Sequence, residues 1–93
     1  MDRNQEFLEA HTCAMQQLKE QIGAMCLTIR QRNKLTRFMV SIDTDISDKS
    51  IANIERAVNG ASSDIISRLF HYYYRLGYVT SEEQEEFRRM HTF

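Results

Sequence analysis

The stretch "ISDKSIANIERAVNGAS", Ile46 to Ser62, decides the reading of this chain. Ser47 is a good helix N-cap, because its hydroxyl can accept from a backbone N–H one turn on. Asp48 then sits where the positive end of the helix dipole favours an acid. Ile51 and Ile54, three residues apart, give the helix an inward edge, and it is expected to run to about Ala57. "VNGAS" is a loop with Gly60 as its pivot. A short helix with polar outward positions raises the question of what it faces, in a chain whose formal net charge is −1.

Upstream, Thr36 is a plausible N-cap for a helix from Arg37 to about Asp43, with Phe38, Met39, Val40 and Ile42 as its apolar members. Asp45 tolerates the left-handed conformation of a tight turn. Two short helices joined at such a turn form a helix-turn-helix pattern. Downstream, Ser62 caps a helix to about Leu76. Its stripe is Ile66, Leu69, Tyr73 and Leu76, widened by Ile65, Phe70 and Tyr72. Gly77 ends it. Thr80 and Glu83 form a capping box for a final short helix, with Arg88 and Arg89 late and Phe87 and Met90 as its apolar side.

The N-terminal third carries Leu8, His11, Met15, Leu18, Ile22, Met25 and Ile29 at alternating steps of three and four. That is a heptad seam with one polar member. It suits an amphipathic helix packed on its own domain or an intermolecular coiled coil. Gly23 inside it marks either a bend or the start of a second helix.

A chain of 93 residues has room for one small domain. There is no proline and there are only three glycines, which argues for helices over a strand-rich fold. The expected class is all-α. A compact five-helix domain over 21–79 is preceded by, or continuous with, a helical extension over 1–20, and followed by a short C-terminal helix and tail over 80–93. Cys13 and Cys26 form no CxxC pair, and His11 beside Cys13 is too sparse for a metal site. No nucleophile has a base at a recognisable spacing, and no glycine-rich phosphate loop occurs. The tempting cluster "HYYYRLGY" from His71 is better read as core and interface. No enzyme, metal or cofactor is expected. No apolar run reaches the ~20 residues needed to cross a bilayer. The polar start "MDRNQEFLEA" does not read as a secretory leader, so the expected address is the cytoplasm.

The average charge hides an asymmetry. Arg30, Arg32, Lys34 and Arg37 fall within eight residues, and residues 21–60 carry six cations against four acids. The flanks on both sides are acidic. A local positive face can meet phosphates while the whole chain stays near neutral.

Taken together, "IGAMCLTIRQRNKLT" and "ISDKSIANIERAVNGAS" resemble the phage repressor/Cro-type helix-turn-helix family, also called the XRE family. Ile22, Gly23, Ile29, Arg30, Leu35, Thr36, Ile46, Ser47, Ser50, Ile51, Ile54, Glu55, Arg56 and Ser62 fall in its register, and the resemblance spans about Gln21 to Leu76. It implies that Arg30 and Glu55 pair to pin the second short helix. It implies phosphate contacts from Thr36, Arg37 and Ser47, with Arg32 and Lys34 beside them. It places Asp48, Lys49, Ser50 and Asn53 at base-reading positions, where Lys49 suits guanine, Asn53 suits adenine and Asp48 could accept from cytosine. The chain departs from the pattern at Ser41, Asp45, Ala57 and Ala61. It departs again at Lys34, with Asn33 beside it as the expected left-handed residue, and at Phe38, Met39 and Ile42, where the family is commonly polar.

The function implied is a sequence-specific regulator binding double-stranded DNA as a homodimer, with half-sites about one helical turn apart. Tyr74, Tyr78, Phe87 and Met90 are the expected dimer surface, and the N-terminal helix is expected to cover Phe38 and Ile42. The alternative is an interaction module, such as an antirepressor, antitoxin or adaptor, that keeps the fold and binds a protein partner instead of DNA. Asp43, Asp45 and Asp48 around the turn and the apolar second helix favour that alternative.

Overall fold

The apolar spacing of the N-terminal third produces one helix, α1, running unbroken from Arg3 to Arg32. It is followed by α2 (Arg37–Thr44), α3 (Asp48–Arg56), α4 (Ser63–Arg75) and α5 (Ser81–Met90). The structure is a computed structural model. It describes the backbone of residues 3–57 and 62–90, and side chains from residue 16 onward within those stretches. The side chains of Leu8, His11, Cys13 and Met15, and the residues Gly60, Ala61 and His91, lie outside the described set. Among the described residues the fold is all-helical, and no helix is long and apolar enough to cross a membrane.

The long axis belongs to α1. A chain of this length packs to a radius of gyration of about 12 Å, whereas this one reaches 14.4 Å with a longest extent of 48 Å. Thirty helical residues span about 45 Å, which accounts for that extent. Towards its C-terminal half α1 turns Ile22, Met25, Cys26 and Ile29 inward. These meet Val40 of α2, Ile46 of the turn, Ile51 and Ile54 of α3, and Ile66, Leu69, Phe70 and Tyr73 of α4. Cys26 is fully buried, which pushes its thiol up to about 12, so it packs as a small hydrophobe.

Gly23 does not start a second helix, since α1 runs through it. It lies buried where α1 crosses α3, and a Cβ there would collide with the backbone carbonyl oxygen of Ile54. The absent side chain lets two helix backbones touch, and the pair α1–α3 is the most extensive in the fold. Further out, Gln16 Nε2 donates to the Ala57 carbonyl at 3.0 Å, tying α1 to the end of α3.

Side chains and turns that the sequence supplies set the helix ends. Thr36, Ser47 and Ser62 each accept from the N–H three residues on. Thr80 and Glu83 exchange backbone and side-chain bonds at 2.9 and 3.1 Å, a complete capping box. The end of α1 corrects one expectation. Lys34, not Asn33, takes the left-handed conformation, with φ 57°, and Leu35 N–H reaches back to the Arg30 carbonyl. Asn33 instead donates its side-chain amide to the Ile29 carbonyl at 2.7 Å. Asp45 and Ala57 also have positive φ, at 59° and 57°, where the resembled family uses glycine.

Candidate nucleic-acid interface

Two capped helix N-termini bracket the candidate surface. Thr36 starts α2 with Arg37 as its first residue, and Ser47 starts α3 after the turn at Asp45. The Ser47 hydroxyl accepts from Ser50 N–H at 3.1 Å and donates to the Ser50 hydroxyl at 2.8 Å. The free N–H groups and dipole of such a terminus favour an anion.

On α3, Ile51 and Ile54 are buried and fix which side faces out. Lys49 and Arg56 are exposed, while Ser50 and Asn53 are half-buried at its margin. Lys49, Asn53 and Arg56 therefore form one outward row at helical spacing. Arg56 is an addition to the residues expected. Its signal was in the sequence, seven residues from Lys49. Neither Lys49 nor Arg56 makes an ion pair among the described residues, nor does exposed Lys34.

Arg37 Nε lies 3.3 Å from Asp48 Oδ1, with both side chains substantially exposed. The first residues of α2 and α3 are thus joined, and each offsets the other's charge. Asp43 is also occupied, accepting the Tyr72 hydroxyl at 2.6 Å. Tyr72 is pushed up to about 12 by desolvation and then by that carboxylate. The acidic trio, exposed throughout, therefore divides into two partnered carboxylates and Asp45, which makes no ion pair among the described residues.

Beneath the surface Arg30 grips Glu55 with two bonds, Nε to Oε2 at 2.7 Å and a terminal nitrogen to Oε1 at 3.0 Å. Its remaining terminal nitrogen donates to the Leu35 carbonyl at 2.9 Å. The two side chains are only 14% and 5% exposed. The hydrogen bond to Glu55 raises the Arg30 pKa against the lowering effect of burial. One guanidinium thus connects α1, α3 and the segment leading into α2.

Arg32 is also partnered within the chain. Its terminal nitrogens donate to both Glu83 oxygens at 3.0 and 2.8 Å and to the Tyr78 carbonyl at 2.6 Å. That fastens α5 against α1, while the Arg32 side chain stays 41% exposed. Glu83 is lowered below the usual carboxylate value chiefly by this bond.

The expected dimer residues are largely occupied within the chain. Met90 is 6% exposed in the core, and Phe87 stacks on Phe70 with centroids 3.8 Å apart and planes 3° from parallel. Tyr78 is half-buried against the core, and only Tyr74 stands out, at 47%. Met90 and Phe87 anchor α5, so they are not a free surface. The N-terminal helix does not cover α2 either, since Phe38 and Ile42 remain 69% and 65% exposed. Among the described residues no group of His, Cys, Asp or Glu gathers that could hold a metal. No known protein family, curated protein or solved structure matches this chain.

Proposed function

We propose that the chain is a sequence-specific DNA-binding transcriptional regulator of the XRE type, acting as a homodimer on a two-fold-symmetric operator. The observation that carries this reading is the α2–turn–α3 unit. It has two serine- or threonine-capped N-termini on adjoining helices, and α3 is pinned from below by Arg30–Glu55. Lys49, Asn53 and Arg56 line its outward row. Such a helix, held rigidly by its inner side, suits insertion of its polar side into a major groove. Arg37, Lys34, Thr36 and Ser47 would contact phosphates. Lys49, Asn53, Ser50 and Arg56 would reach base edges or flanking phosphates, with Asp48 tuning Arg37. Selection of bound sequences from a random DNA pool tests the reading and reports half-site spacing. A palindromic motif supports it, and no enrichment with no binding at low salt sinks it.

The second reading, a protein-interaction module with the same fold, is favoured by Phe38, Met39 and Ile42 standing exposed on α2 and by Asp48 offsetting Arg37. Contiguous exposed apolar side chains mark protein-contact surfaces. Under this reading the random-pool selection yields nothing, and Phe38→Ser abolishes partner capture.

A further inference from the structure

The C-terminal end of α2 and the exposed side of α4 line an open groove of about 470 Å³. Arg68, His71 and Arg75, spaced three and four residues apart, project from one face of α4 into it. Tyr72 and Leu76 complete the α4 wall, and Asp43 lies opposite. We propose that this groove is an anion site that takes a small phosphate monoester.

The argument rests on donors and shape. A guanidinium carries five N–H donors. Arg68 gives one contact to the Thr44 carbonyl at 3.0 Å and keeps donors for a ligand. Arg75 makes no ion pair among the described residues. His71 adds an imidazole N–H. Asp43 opposes an anion, but the Tyr72 hydroxyl at 2.6 Å holds its Oδ2, and two guanidiniums outweigh one carboxylate. Three donor groups along one wall match the three terminal oxygens of a monoester, and paired arginines favour such planar multidentate contact. The volume falls in the range of small-molecule sites. Exposed Leu76 offers an apolar wall for the ester's organic part. A duplex backbone is a poor fit, because its diester phosphates lie on a convex rod and each carries a single charge. Tyr72–Asp43 and Arg68–Thr44 are also the side-chain bonds that hold α2 to α4. A ligand on Arg68 and Arg75 would therefore sit directly on that joint.

The test is titration of the full chain with inorganic phosphate at constant ionic strength, in the absence of DNA, followed by amide and arginine side-chain NMR. Saturable shifts are expected at Arg68, His71, Tyr72 and Arg75. Arg75→Ala should weaken binding about tenfold or more, as loss of a charge-assisted contact does. Asp43→Asn should tighten it several-fold, a gain that a purely structural role for Asp43 would not produce. Lys49→Ala should leave it unchanged. Shifts that never saturate, equal binding by Arg75→Ala, or loss through Lys49→Ala would each overturn the proposal. So would a phosphate-insensitive groove whose Arg75→Ala variant binds duplex DNA with a shallower salt slope, because that assigns the groove to the DNA backbone. Failure of the DNA reading leaves this titration untouched.

Discussion

Gly23→Ala tests how α1 carries α3. The new methyl would meet the Ile54 carbonyl oxygen head-on and sit 3.3 Å from the Glu55 carbonyl oxygen. Both are backbone atoms, so no side chain can swing aside. The helices must separate by about 1 Å to restore ordinary contact distances. Gaps of that size forfeit a quarter to a half of the dispersion energy across the seam. The seam holds Ile22, Cys26, Ile51 and Ile54, all essentially buried, and each large aliphatic chain contributes roughly 1.5–3 kcal/mol by burial. Overpacking of this kind costs about 1–3 kcal/mol and more against rigid backbone. Replacing a mid-helix glycine by alanine returns only about 1 kcal/mol. With the cost at the upper end of that range, the expected net loss is about 2 kcal/mol, which for a domain of this size lowers the melting temperature by roughly 8–16 °C. Circular dichroism melting and urea titration measure it, with Ala24→Gly at the exposed neighbouring position as the control for propensity. A Gly23→Ala protein that melts at or above the wild-type temperature would refute the close crossing.

Three further outcomes follow from the interior and from α5. Glu55→Gln leaves the Arg30 guanidinium facing a neutral amide in a mostly buried site and should cost about 2–3 kcal/mol, well above the effect of Glu85→Gln at an exposed position; equal melting temperatures would count against the pin. The Tyr73 hydroxyl is buried with no hydrogen-bond partner among the described residues, so Tyr73→Phe should be neutral or stabilising by about 1 kcal/mol, and a clear loss of stability in urea would show that the hydroxyl is satisfied. Glu83 is lowered in the folded state, first by Arg32, so its contribution is fully present above the ordinary carboxylate value of 4.5 and is lost as pH falls through the folded value. Urea midpoints of wild type and Glu83→Gln should therefore differ at pH 6 and converge towards pH 3, and a gap that widens on acidification would reverse the assignment.

The parts of the fold that were legible are those written in local chemistry. Ser47, Ser62, Thr36 and the Thr80–Glu83 box announce helix starts because capping needs only residues three apart. Ile51 with Ile54, and Ile66 with Leu69 and Tyr73, announce buried faces through their spacing. What depended on distant partners was not legible. Nothing near Gly23 says that a carbonyl from residue 54 approaches it. Nothing near Arg32 says that Glu83, fifty-one residues on, will take its charge. Phe87 and Met90 looked surplus because the stacking partner Phe70 and the core are reached only through the Gly77 turn. Lys34 took the left-handed position from Asn33 because the Asn33 amide is better used on the Ile29 carbonyl.

The same long-range pairings bear on how a near-neutral chain could hold DNA. Four cations crowd the run from Arg30 to Arg37, but two of them are held within the chain, Arg30 by Glu55 in a mostly buried pair and Arg32 by Glu83 in an exposed one. What remains is Lys34 before α2, Arg37 at its start, and Lys49 and Arg56 on α3, opposed by Asp45 and Asp48. Each of the two pairs is neutral in itself, so the net positive charge of this region rests with the cations that remain. If those four cations each displace a counterion, log K should fall against log salt with a slope of about −3 to −4 per protomer. Arg37→Ala should then shallow the slope by about one unit. Its affinity should fall further than that, since Asp48 loses its partner and repels phosphate. Arg32→Ala, measured where the protein is still folded, should leave the slope alone although Arg32 belongs to the same basic run. A fluorescence-anisotropy salt series on one duplex separates the two variants. If Arg32→Ala shallows the slope as much as Arg37→Ala does, the Glu83 pairing does not withhold Arg32 from DNA and the basic run acts as a unit.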